Sequence, residues 1–283
     1  MIKRRFFLGA MAAVAAIALT AGTAEAQGKK VKLAYVEWSD AVVATNILKI
    51  ALEKKGYEVT ITPLAAAAMW QAVATNQADA MVAAWLPATH ASYYERLKDQ
   101  VDLIGPNVTG AKIGWAVPKT SELNSIEDLK TKGALVGNKV IGIDPGAGLM
   151  KASDKAIQTY GLPVRLVDGT DATMTAALKD AMDKKENIVV TTWTPHWMFG
   201  RWELKYLEDP KGVFGGEETV NTVARKGLKT DMPEVHAILS KFKLSLDDEQ
   251  KVMLWNEEKG AKPAETAAKW VKENDAKVAA WLN

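Results

Sequence analysis

The chain has 283 residues, 48% of them hydrophobic, with ten Trp, three His and no Cys. That length supports one large domain or two smaller ones, and the lack of Cys excludes disulfides, thiolate metal sites and a lipid-modified N-terminal cysteine. The formal net charge is +2, but setting aside residues 1–26 leaves 33 basic and 33 acidic residues, a balance that argues against nucleic acid or a general anionic surface as partner.

Residues 1–26 read as an export signal peptide. "MIKRR" is a basic start, "FFLGAMAAVAAIALTAG" an apolar stretch, and "AEA" at 24–26 a small-residue cleavage site near Ala26. The paired arginines of "KRRFFL" also resemble a twin-arginine signal, and either export route delivers the same product. No second long apolar run follows, so the mature chain is expected to be soluble and periplasmic.

Strands then alternate with helices. "KVKLAYVEW" is strand-like and "DAVVATNILKIALEKKG" has helical periodicity with a glycine stop. "YEVTITPL", "MWQAVATNQ", "DAMVAAWLP", the helical "HASYYERLKDQ" and the extended "AKIGWAVPK" complete a first series. A second begins near 138 with "NKVIGIDPG", "GLMKASDKAIQTYG", "PVRLVDG", "ATMTAALKDAMDKKE" and "NIVVTTWTP". The tail holds "ETVNTVARKGL", taken as extended, and three further helical stretches. Such alternation predicts open, largely parallel sheets with helices on both faces. Weakly patterned "TSELNSIEDLKTKGAL" and "YLEDPKGVFGGEE" mark two crossings between lobes. Residues 30–119 with 216–283 are therefore assigned to one lobe and 120–215 to the other, with a hinge and a cleft between them.

Three strand-like runs end on Trp just before turn chemistry: Trp38 in "LAYVEWSD", Trp85 in "MVAAWLP" and Trp193 in "IVVTTWTP". A single Trp there reads as a core residue. Three at equivalent strand ends, where open α/β sheets bind ligands, point to a shared site drawn from both lobes. Indole faces attract cations. A primary ammonium would lose hydrogen bonds in such a box, whereas a quaternary ammonium has none to lose. The pattern therefore reads as a cage for a methylated cation. For an anionic end of the ligand, "VIGIDPGAGLM" offers a glycine turn into a helix start. His90 in "WLPATH" offers an N–H donor, or alternatively a helix cap.

Taken together, "YVEWSD", "MW", "DAMVAAWLPATH", "GIDPGAGLM" and "TTWTPHWMF" resemble the periplasmic glycine betaine/proline betaine-binding proteins of ABC importers, the OpuAC-like family. The resemblance covers essentially all of the mature chain. It implies a two-lobed α/β periplasmic substrate-binding fold (type II-like) in which Trp38, Trp85 and Trp193 box a trimethylammonium group. The carboxylate would meet His90 and the backbone N–H groups of Gly142 and Ile143. It further implies delivery to a permease with its ATPase by a monomeric binding protein, with no cofactor, metal or catalytic residue. Choline-binding relatives use an acidic residue shortly after the first cage Trp, where Asp40 stands. Here Asp40 is read as the N-cap of a helix beginning at 41, with betaines ahead of choline and sulfonium analogues.

Trp70 and Trp115 read as packing residues, Trp197 as support for Trp193, and Trp255, Trp270 and Trp281 as core anchors of the tail helices. His196 is a candidate for the cleft mouth. A secreted hydrolase of choline or betaine esters would suit the same cage. The chain, however, has no G-x-S-x-G elbow, no H-E-x-x-H and no P-loop.

Overall fold

The computed structural model describes residues 30–283, and the expected export segment lies outside them. Nine strands are described: β1 (Lys30–Tyr35), β2 (Glu58–Pro63), β3 (Ala80–Leu86), β4 (Val101–Pro118), β5 (Lys139–Ile141), β6 (Arg165–Val167), β7 (Val190–Thr194), β8 (Leu204–Tyr206) and β9 (Glu218–Arg225). Their order is β2-β1-β3-β9-β4-β7-β5-β6, with β8 also on β4. The two halves repeat one plan. In each, the first strand pairs in parallel with the second and third, as β1 does with β2 and β3, and β5 with β6 and β7. A strand running the other way then closes each set, β9 against β3 and β4 against β7.

The strands form two sets joined through β4. β4 belongs to both: residues 101–111 pair with β9, and 112–118 pair with β7 and β8. The chain therefore passes from the first set to the second between Ala111 and Lys112. The first ten residues of β4 had shown no strand pattern because Gly105, Pro106 and Gly110 interrupt it. The ladder absorbs them with register shifts at Leu103/Gly105, Pro106/Val108 and Thr109/Ala111, the bulges that such residues favour.

β3 is buried along its whole length, as a continuous apolar strand between two neighbours should be. The long helix Ser39–Lys54 carries Asp40 in its first turn and Lys54 in its last, charges that complement the helix dipole. The tail helices pack against this helix: Trp270 is fully buried and stacks on Trp281 at 6.1 Å. Trp255 departs from the expected pattern. It is only half-buried, and the ammonium groups of Lys269 and Lys251 lie 3.9 and 4.7 Å from its ring centroid. A helical period marks a face, and lysine stems complete its cover here.

Candidate functional site

The three indoles meet where the sheets face each other. Trp85 is the sixth residue of β3, and Trp193 the fourth of β7, each near the carboxyl end of an interior strand. A cis proline follows two residues later in both cases, at Pro87 and Pro195. Trp38 lies three residues beyond β1, in extended conformation, and leads into the helix at Ser39. The rings of Trp38 and Trp193 lie 6.5 Å apart, inclined at 53°.

With Trp85 these two indoles line a small apolar pocket. Thr89, Ile113, Ile143, Ala147 and Leu149 complete the lining. No carboxylate enters this lining, so an ion held there meets π-faces and methyl groups only. The sequence reading had not singled out Thr89, Ile113, Ala147 or Leu149. Three of the four sit in the "WLPATH" and "GIDPGAGLM" segments, which were the local signals.

His90 stands beside the Trp-lined pocket rather than in its wall. Its ring is 5.8 Å from Trp38, while Trp70 and Tyr93 meet it edge-on at 6.0 and 5.7 Å. It precedes the helix Ala91–Leu97, with no side-chain cap bond. Its Nδ1 instead accepts the backbone N–H of Trp85 at 3.1 Å, and its own N–H donates to the Trp85 carbonyl. That bond places the ring proton on Nε2, which is buried and has no acceptor among the described residues. Burial, helped by the charge of Lys151, lowers the His90 pKa to about 3, so the imidazole is neutral at physiological pH. The turn that carries it is tied down by Glu218 at the start of β9. This buried carboxylate accepts the N–H groups of Ala88 and Thr89, both at 2.9 Å, and the Thr89 hydroxyl.

Of the two backbone amides expected to face a ligand, that of Gly142 is already committed, donating to the Val167 carbonyl at 2.8 Å. Beyond β5 the chain stays bonded to the strand alongside for one more residue. Ile143 N–H reaches only the Met150 thioether, at 3.3 Å, a weak acceptor.

Asp40 is not the helix N-cap. The helix begins at Ser39, two residues earlier than expected, and Asp40 lies buried within its first turn, where its Oδ1 accepts the Trp193 indole N–H at 2.9 Å. Burial, then the neighbouring Asp171 carboxylate, raises its pKa to about 6. His196 is fully buried rather than at the cleft mouth, edge-on to Trp193 at 4.5 Å. Its Nδ1 accepts Met198 N–H, and its Nε2 meets Asp171 at 3.0 Å. Burial pushes Asp171 up, but the His196 ring and the Ser39 donors outweigh it and hold the carboxyl below its usual value. Trp197 packs on His196 and Trp202, at 5.6 and 5.4 Å, and so backs Trp193 through the histidine. Trp70 and Trp115 are fully buried, and Trp115 donates to Ser153 Oγ at 2.9 Å.

The sequence model of OpuAC, the substrate-binding domain of ABC-type glycine betaine transport systems, matches residues 29–273. The chain belongs to this family. Among its relatives is the glycine betaine/carnitine transport binding protein GbuC of Listeria monocytogenes, 44% identical over 157 residues, which are 54% of this chain and 52% of that protein. The matched stretch thus spans about half the length of that relative. Lactococcal OpuAC, closed and complexed with glycine betaine, superposes with a TM-score of 0.86 at 42% identity, over 90% of this chain and all of that one. An ABC-transporter choline-binding protein in complex with choline gives 0.83 at 25% identity, over 91% and 92% of the two chains. The fold is accordingly that of the two-lobed periplasmic substrate-binding proteins.

Proposed function

We propose that this chain is an exported, monomeric binding protein that captures glycine betaine or a close analogue between its lobes and hands it to an ABC permease. The observation that carries the reading is the enclosure of one apolar space by indoles from both lobes, with no charged side chain in its wall. A quaternary ammonium loses little on entering such a space and gains about 2 kcal/mol or more per desolvated indole face. Micromolar binding needs about 8 kcal/mol in total, which partly additive cation–π contacts and a few bonds to the carboxylate can supply after ordering costs.

His90 is the proposed carboxylate donor because its buried Nε2–H has no acceptor among the described residues, and such a group is costly unless a ligand completes it. Ile143 N–H, whose acceptor is a soft sulfur, is the second. Choline is the competing ligand, favoured by the likeness to the choline-binding protein and by the position of Asp40 after Trp38. Asp40, however, spends its buried oxygen on Trp193, which favours a ligand with no hydroxyl to satisfy.

Calorimetric titration of the purified chain with glycine betaine, proline betaine, choline and a sulfonium analogue tests the reading. Micromolar glycine betaine binding, tighter than choline, is expected. The absence of heat with all four would overturn the functional reading, and hydrolysis of choline esters by the protein would overturn the exclusion of enzymatic activity.

A further inference from the structure

Three consecutive residues of the first lobe each bond to the second. Trp38 donates its indole N–H to Asp144 Oδ2 at 3.1 Å. Ser39 donates its backbone N–H, at 2.9 Å, and its hydroxyl to Asp171 Oδ2. Asp40 accepts the indole N–H of Trp193 at 2.9 Å. The bonding is reciprocal: an indole of each lobe is held by a carboxylate of the other. Asp171, at the first position of helix Asp171–Lys184, is itself braced by His196.

We propose that Trp38-Ser39-Asp40 is a closure clasp, with Asp144 and Asp171 as its positioning residues in the second lobe. Every one of these bonds spans the cleft, so none survives when the lobes part. Two of them orient cage indoles, so assembling the cage and locking the lobes become a single event. A closed state favoured by such bonds retains its ligand longer without touching it. The carboxylates also act through the rings. An anion accepting an indole N–H makes a charge-assisted bond and pushes electron density toward the π-face that meets the cation. Trp85 shows the contrast. Its indole N–H has no acceptor among the described residues and its placement comes from backbone bonds to His90 within its own lobe, so it needs no clasp.

The proposal rests on the betaine reading for its ligand, and its test separates the two. Stopped-flow tryptophan fluorescence with glycine betaine should show Asp144→Ala releasing the ligand at least fivefold faster, with association within about twofold of wild type, because the ligand enters through the open fraction of an open–closed equilibrium. Asp144→Asn, which keeps an oxygen acceptor, should recover part of the loss. Trp38→Phe removes the N–H, and adding Asp144→Ala to it should cost less than Asp144→Ala costs alone. Dissociation at the wild-type rate, or fully multiplicative effects in the double variant, would overturn the clasp.

A second readout needs no ligand. The chain has no Cys, so spin labels at Lys98→Cys and Lys179→Cys, both on exposed surfaces, report the distance between the lobes. Asp144→Ala should shift that distribution toward longer distances, and an unchanged distribution would overturn the clasp. Failure of the wild type to bind glycine betaine would instead overturn the functional reading, leaving the distance measurement to decide the clasp.

Discussion

Gly148 sits where the lobes come closest. It is the first residue of the helix Gly148–Tyr160 in the second lobe. A Cβ there would lie 2.1 Å from the carbonyl oxygen of Thr89, and 2.6 and 2.8 Å from its Cγ2 and carbonyl carbon. The obstruction is backbone on both sides, so no rotamer relieves it. Restoring an ordinary contact requires the lobes to separate by about 1 Å at this point. The Trp38–Asp144 bond, now 3.1 Å, would stretch to about 4 Å, past useful hydrogen-bond range. Tyr93, whose hydroxyl donates to the Gly146 carbonyl at 2.6 Å across the same seam, would be similarly strained. Losing two or three such bonds, at about 1 kcal/mol each and somewhat more where a carboxylate accepts, gives roughly 2–4 kcal/mol, or about 30- to 1000-fold in affinity. Gly148→Ala should therefore cripple glycine betaine binding in a calorimeter. Its urea midpoint should hold or rise slightly, because Gly148 has no left-handed φ and alanine favours a helix. An affinity within twofold of wild type would refute the closure argument, and a collapsed urea midpoint would refute the claim that only closure is affected.

Trp85→Ala removes one of three π-faces and should weaken glycine betaine binding at least tenfold; unchanged calorimetric affinity would take Trp85 out of the cage. His90→Ala should harm glycine betaine more than choline, which has no carboxylate, and equal losses for both would argue against an Nε2–H donor. Asp40→Asn should keep the Trp193 bond through its amide oxygen while removing a buried charge. Because the folded-state pKa of Asp40 is raised from 3.8 to about 6, its contribution is fully present below pH 3.8 and is lost as pH rises through 6. The variant should then be more stable at pH 7, by about 2–3 kcal/mol at most, in a setting shared with Asp171, Glu249 and His196. Urea melts at pH 4 to 7 check this, and identical pH profiles for variant and wild type would contradict it. His90 works in the opposite sense: its lowered pKa gives stability that is present above pH 6.5 and lost as pH falls toward 3.

What the sequence made legible was chemistry carried by neighbours along the chain. Trp85 followed by Leu-Pro, Trp193 followed by Thr-Pro, and the glycines of "GIDPGAGLM" announce strand ends and turns because each needs only local backbone geometry. The α/β order followed from the same local periods. Roles that depend on a partner far along the chain were misread in the direction local rules favour. Asp40 after Trp-Ser resembles a helix cap, yet its partner Trp193 is 153 residues away. Glu218 gave no local sign that it holds the turn at 88–89, 129 and 130 residues distant. These misreadings share a cause. A local pattern states what a residue can do alone, and lobe contact then chooses among those possibilities by offering a buried partner whose loss is costly. Residues at such a seam should therefore be reassigned first when a two-lobed chain is read from sequence. In this chain that means the Trp-Ser-Asp run, where all three side chains bond across the cleft.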